Sequence, residues 1–180
     1  SMRLFSNRHI KPFRYSETFI KRKNIETKMI VVDGVKGGGQ VLRTALSLSA
    51  ITKQECSIKN IRGQREDSGL KAQHLTAIQT LQQFCGAKTD QPEIGSTSLH
   101  FIPGKIKSGV YDIDIGTAGS ITLLLQALIP PALFAPGKVT FNITGGTCGK
   151  WQASVDYLQN ILLPYLQRFV EKIELKILKR

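Results

Sequence analysis

The sequence predicts an α+β protein made of tandem β-α-β-α-β units, each with two helices packed on a small sheet. Three observations carry this. Short, largely β-branched runs alternate with runs of helical period along the chain. A glycine-bearing turn between a strand run and a helix run occurs twice, at Gly37-Gly38-Gly39 and at Gly116-Thr117-Ala118-Gly119-Ser120. The second series of elements follows the first at a near-constant offset: Gly39 and Gly119 are 80 residues apart, Ile61 and Ile143 82. A period of that length reads as a duplicated unit. Amphipathic helices on short strands place the two helices of a unit on one face of its sheet.

Taken in order, residues 29–33 form a strand closed by Gly34, and residues 40–49 set Val41, Leu42, Ala45, Leu46 and Leu48 at helical spacing. Residues 56–61 alternate as a strand. Leu70, Ala77, Ile78, Leu81 and Cys85 mark one face of a second helix that stops before Gly86. Residues 87–89 and 98–102 are two short closing strands. The order then restarts: residues 110–115 are a strand, 121–128 an almost wholly apolar helix, and 139–143 a strand. Val155, Leu158, Leu162, Tyr165, Leu166 and Phe169 mark an amphipathic helix, and Ile173, Leu175 and Ile177 alternate with charged residues as a last strand. The second unit is expected to be cut short, with one closing strand where the first has two. The predicted division is a tag scar and basic leader over residues 1–28, read as disordered, a first repeat over 29–104 and a second over 105–180.

With 180 residues, 41% of them hydrophobic and 21% charged, the chain has the material for a buried core. The net charge of +12 favours anionic partners. Residues 1–28 carry eight Lys and Arg against two Glu. Ser1-Met2 reads as a cleavage scar, Met29 as an alternative start, and the leader's basic, serine-bearing composition as compatible with a transit peptide. The longest apolar run, residues 121–135, is short for a membrane helix and holds Gln126, Pro130 and Pro131, so no membrane association is expected. Cys56, Cys85 and Cys148 form no Cys-x-x-Cys pair, which points to a reducing compartment, cytoplasmic or nuclear. His9, His74 and His100 lack metal-ligand spacing, and no metal-binding residue is assigned.

Five stretches carry a resemblance. Asp33-Gly34-Val35-Lys36-Gly37-Gly38-Gly39-Gln40-Val41-Leu42-Arg43, Ile61-Arg62-Gly63-Gln64-Arg65 and Gly69-Leu70-Lys71-Ala72-Gln73-His74-Leu75 resemble, in order, the N-terminal signatures of RNA 3'-terminal phosphate cyclases. So do Ile115-Gly116-Thr117-Ala118-Gly119-Ser120 with Gln126, and Gly145-Gly146-Thr147. The resemblance implies repeated two-helix, four-stranded units like the C-terminal domain of translation initiation factor three. It implies an ATP-dependent conversion of an RNA 3'-phosphate to a 2',3'-cyclic phosphate through a histidine-AMP intermediate, with a divalent metal, Mg or Mn. No histidine here matches the family's nucleophile motif, so no catalytic residue is assigned and the chain alone is expected not to self-adenylylate.

The residues expected to contact ATP or phosphate are Gly37, Gly38, Gly39, Arg43, Arg62, Arg65, Gln73, Ser120 and Gln126. A glycine triplet before a helix lets backbone N–H groups approach a phosphate, and it also serves as a plain tight turn. Arg43, Arg62 and Arg65 offer guanidinium forks suited to phosphate; the resemblance places them in the nucleotide cleft, where spacing alone leaves them as solvated charges. Gln73 follows as a polar cleft residue, or else an exposed helix residue, whereas His74 reads as structural. Gln126 is the lone polar side chain in residues 123–133 and, if buried, demands a partner: a core group, or ATP as the resemblance implies. Ser120 is a helix N-cap or a phosphate contact. Trp151 packs or stacks on a base, and Cys148 has no histidine beside it to make it a nucleophile.

Two departures from the family pattern matter. Lys36 stands where the family has an acidic residue, in a loop that looks two residues shorter, and Cys148 replaces a polar position. Lys36 and the shorter loop support a second reading, a non-catalytic RNA-binding relative of the cyclases active in ribosome biogenesis. The expected partners are RNA with a 3'-phosphate and a homodimer or second chain that completes the fold.

Overall fold

Two four-stranded sheets share one core. The computed structural model describes residues 1–10, 28–150 and 152–179, with backbone alone for residues 5–10. Its elements are β1 (Met2–Ile10), β2 (Ile30–Asp33), α1 (Gly39–Thr52), β3 (Cys56–Lys59), α2 (Ala72–Cys85), β4 (Lys88–Thr89), β5 (Leu99–Ile102), β6 (Gly109–Asp114), α3 (Ile121–Ala132) and β7 (Val139–Thr144). α4 (Val155–Tyr157) then runs through a π-helical turn (Leu158–Leu162) into α5 (Leu163–Leu166), followed by β8 (Val170–Ile177). This is the mixed α and β architecture with small sheets that the hydrophobic periodicity predicts.

The first sheet has the order β2-β3-β5-β4, with β2 and β3 parallel and β5 antiparallel to both β3 and β4. The second has the order β6-β7-β1-β8, with β6 and β7 parallel and β1 antiparallel to both β7 and β8. Alternation along the strands turns Cys56, Ile58, Leu99 and Phe101 inward in the first sheet, and Met2, Leu4, Val139, Phe141 and Ile143 inward in the second. All of them belong to one buried cluster with the inner faces of α1, α2 and α3. Phe84 on α2, fully buried, stands edge-on to Tyr111 of β6 and Phe141 of β7, with ring centroids 5.3 and 5.5 Å away.

Two expectations are corrected. The reading of residues 1–28 as a disordered leader fails for residues 2–10, which form an interior strand: Met2 pairs with Ile143 and Ile177, and Met2 and Leu4 are each 1% exposed. Residues 11–27 lie outside the described residues. The single closing strand expected for the second unit is likewise replaced by a pair, β8 and β1, because β1 enters from the other end of the sequence.

The connection between the sheets is held tightly. The Lys107 N–H donates to the Phe84 carbonyl at 2.9 Å, and a Cβ on Gly104 would stand 2.4 Å from the Cys85 carbonyl oxygen and 2.7 Å from that of Gly86. α2 itself ends where the sequence places it, at Gly86 with φ of 62°.

Candidate nucleotide-binding site

The first turns of α1, α2 and α3 converge, and their residue types explain why. α1 starts behind Gly38, whose extended backbone caps it without a side chain; the Gly38 carbonyl takes the Val41 N–H at 3.2 Å, which leaves the Gly39 and Gln40 N–H groups at the helix start for a ligand. α2 starts at Lys71, where the backbone N–H donates to His74 Nδ1 at 3.1 Å. α3 starts at Ser120, whose Oγ accepts the Leu123 N–H at 3.2 Å. No first turn of the three carries an acidic residue. Three positive helix ends thus face one region with no carboxylate of their own to neutralise them, which favours an anion there.

Side chains tie these ends together. Arg43 on α1 is 7% exposed, and its Nε–H donates to Gln126 Oε1 on α3 at 3.2 Å. Gln73 on α2 accepts the Ser120 N–H through Oε1 at 3.3 Å. His74 is 3% exposed, and burial, together with the positive charges of Arg43, Arg62 and Lys71, lowers its pKa to about 4. It is therefore neutral at pH 7. Because Nδ1 accepts the Lys71 N–H, the ring proton sits on Nε2. Burial also pushes the Arg43 guanidinium below its ordinary value, although it stays charged.

Gly39 is held to glycine by this crowding. A Cβ there would fall 2.1 Å from His74 Nε2 and 2.9 Å from Arg43 Nη1. In most helices Gly→Ala gains up to about 1 kcal/mol; Gly39→Ala should reverse that sign and cost about 1–3 kcal/mol through overpacking, read from urea unfolding. A variant as stable as the parent would mean that His74 swings aside freely.

The glycine triplet lies where the sequence places it, between β2 and α1, and Arg65 Nη2 reaches within 3.6 Å of the position of a Cβ on Gly38. Arg62 departs from the expected fork: its Nη1–H donates to the carbonyls of Asp67 at 2.5 Å and Gly69 at 3.0 Å, stapling the loop before α2. Ser120 acts as the N-cap, and its Oγ also exchanges a hydrogen bond with Thr122 Oγ1 at 2.8 Å. Gln73 is half-buried and positions the start of α3. Gln126 is exposed rather than buried, and its partner is Arg43. Beside Gln126 lies an apolar hollow of about 270 Å³ between α3 and α4–α5, lined by Leu125, Ile129, Leu158 and Leu162 among others. Trp151 lies outside the described residues.

His74 takes a structural role at the start of α2, at a depth for which the sequence carries no signal. Its placement three residues after Lys71, at the third position of a helix, is the pattern in which a side chain reaches back to its own cap.

Residues 35–180 match the RNA 3'-terminal phosphate cyclase family. The chain belongs to that family. It is 49% identical over 154 residues to the RNA 3'-terminal phosphate cyclase of Pyrococcus furiosus, covering 84% of this chain and 45% of that protein. The cyclase of Methanopyrus kandleri is 47% identical over 154 residues (84% and 44% covered), and that of Pseudomonas fluorescens 47% over 151 (84% and 44%). The chain spans less than half the length of these curated relatives. Among solved structures, an EPSP synthase from Acinetobacter baumannii superposes with a TM-score of 0.47 at 10% identity, over 76% of this chain and 28% of that one.

Within this cyclase-family chain, no three His, Cys, Asp or Glu side chains among the described residues gather into a group that could hold a metal. Asp33 Oδ1 accepts from the Val35 N–H and from Asn60, and Asp67 pairs with Lys71. No helix among the described residues has the length and apolarity to cross a membrane.

Proposed function

We propose that this chain forms the nucleotide- and phosphate-binding portion of an RNA 3'-terminal phosphate cyclase, one that engages ATP and an RNA 3'-phosphate. The observation that carries the reading is the convergence of three acid-free helix starts on Arg43, joined to Gln126 across α1 and α3. The Gly39 and Gln40 N–H groups at the start of α1, with Arg43 and Arg65, supply donors for phosphate oxygens. The apolar hollow beside Gln126 suits a nucleobase, with the Gln126 amide at its rim to fix orientation. In this reading Gln73 and Ser120 hold the helix ends in place, and Arg62 shapes the loop. The Mg or Mn ion expected from the family receives no residue.

Adenylylation needs a nucleophile with a free lone pair. His74 offers none, since Nδ1 accepts the Lys71 N–H and Nε2 carries the proton. His100 lies on the first sheet against Glu55, its Nε2 2.5 Å from the carboxylate. The experiment is displacement of a fluorescent ATP analogue, combined with transfer of labelled AMP in the presence of an RNA oligonucleotide ending in 3'-phosphate. Gln126→Ala and Arg43→Lys should each weaken nucleotide binding at least about tenfold, the loss expected when a charge-assisted or orienting contact goes. No AMP should become covalently attached. Binding unmoved by both substitutions, or a stable AMP adduct, would overturn the assignment.

The exposed Lys36, standing in the loop where the family has an acid, favours a second reading: an RNA-binding relative without the reaction. Nucleotide-independent RNA binding, with no displacement of the analogue, would support it. We further read the two sheets as tandem units of the kind found in the C-terminal domain of translation initiation factor three, supported by their identical strand order and directions. An RNA-processing role and free thiols at Cys56, Cys85 and Cys148 support a cytoplasmic or nuclear location.

A further inference from the structure

The two sheets match strand for strand. β2, β3, β5 and β4 of the first correspond in order and direction to β6, β7, β1 and β8 of the second. The third place is filled differently in each. In the first sheet β5 takes it, following its neighbour β4 after nine residues, a tether that keeps the strand in its own molecule. In the second sheet β1 takes it, from a segment lying before the family match at residue 35, and nineteen residues separate β1 from β2. Fully extended, such a tether spans about 65 Å, well beyond the radius of a protein of this size.

The bonds that hold β1 come from the strands beside it. It forms ladders with β7 over Met2–Ser6 and with β8 over Met2–Ile10, seats Met2 and Leu4 in the core, and donates from Arg3 Nε to Asn142 Oδ1 at 2.7 Å. Each of these is re-formed without loss if the strand enters the sheet of a neighbouring copy. Exchange of an identical element is a low-cost route to a dimer, and a strand laid into a sheet derives its affinity from backbone bonds available to any donor of the right pattern.

We propose that the gap between β7 and β8 is a strand-acceptor site, and that its occupant in trans is residues 2–10 of a second copy of this chain. The dimer is reciprocal, each copy lending β1 to the other. Competition from the molecule's own β1, whose tether gives it an effective concentration in the millimolar range, makes exchange concentration-dependent.

Facing residues on the two strands supply the test. Arg3 pairs with Asn142 in the ladder, and both are accessible. Two full-length chains are prepared on a Cys148→Ser background, which removes the exposed thiol; one carries Arg3→Cys and the other Asn142→Cys. They are mixed, equilibrated across concentrations up to about the millimolar effective concentration of the tether, and oxidised mildly. Mass spectrometry of the linked peptides should show a disulfide between position 3 of one chain and position 142 of the other, in a yield that rises with concentration. Adding Leu4→Asp to the Arg3→Cys chain should reduce that yield at least tenfold, because a carboxylate cannot enter the Leu4 site. A chain carrying both cysteines should close internally at low concentration. Internal closure with no cross-chain product, cross-linking indifferent to Leu4→Asp, or failure of the double variant to close each overturns the proposal.

Discussion

Phe84→Ala should lower the unfolding free energy by about 3–5 kcal/mol, with a fall in Tm of roughly 10 °C, and it should do so for the whole molecule in one transition. Phe84 is fully buried and belongs to α2, yet its ring stands edge-on to two rings of the second sheet, Tyr111 and Phe141. Removing it takes out transfer free energy, leaves a cavity and deletes two aromatic contacts at the point where the first sheet's helix meets the second sheet. Urea unfolding followed by near-UV and far-UV circular dichroism reads the result. Phe84→Leu, which keeps most of the volume, should cost about 1.5 kcal/mol or less. A loss below about 1 kcal/mol for the alanine variant, or two separated transitions in the parent, would show that the sheets hold together by other means.

The second large effect is a dependence on pH set by His74. Its folded pKa lies near 4, below the ordinary value of 6.5, because burial and the charges of Arg43, Arg62 and Lys71 disfavour the imidazolium. Between those two values the unfolded chain binds a proton that the folded chain does not, so acidification favours unfolding. Stability from this group is whole above pH 6.5, falls by up to about 1.4 kcal/mol for each pH unit below it, and levels off near pH 4. From pH 7 to pH 5 the loss is about 2 kcal/mol. His74→Asn lacks the titration, so the stability of the parent minus that of the variant should shrink by this amount over the interval, measured by urea unfolding. Parallel curves would mean that the imidazole is hydrated in the folded state.

Local pattern exposes α1, α2, α3 and the alternating end of β8, because each is a run whose apolar period matches its own geometry. It stops short on α3, which the sequence ends near Leu128 and which continues to Ala132. Pro130 and Pro131 fall in its last turn, where their missing N–H groups remove two donors of the helical ladder and the helix stops soon after. The pattern fails altogether at β1. Met2 and Leu4 alternate inward, but the stretch is short, basic and far in sequence from its partners; Met2 pairs with Ile143 and Ile177, and no local signal encodes such pairing.

At the candidate site, sequence supplies the residue types but not the contacts they make. Gln126, whose need for a partner follows from its apolar neighbours in sequence, lies exposed on α3 and accepts from Arg43, a contact no local pattern encodes. Arg62, which the resemblance places in the nucleotide cleft, commits its Nη1 to two loop carbonyls that spacing does not reveal. Ser120, for which cap and ligand stood open, is a cap, a role its position before an apolar helix already allowed.

The short connection from Pro103 to Ser108 has a consequence beyond joining two sheets. Arg43, Gln73 and His74 come from one side of it, Ser120 and Gln126 from the other, and the hydrogen bonds from Arg43 to Gln126 and from Ser120 to Gln73 are the rulers between them. Pinned at Gly104 and Lys107 against the end of α2, the connection works as a gauge block that sets the distance over which those rulers close. Extra residues there would leave each sheet intact while detuning the opening between the helix starts. In this fold, the spacing of the candidate site is machined into a linker at the far end of α2.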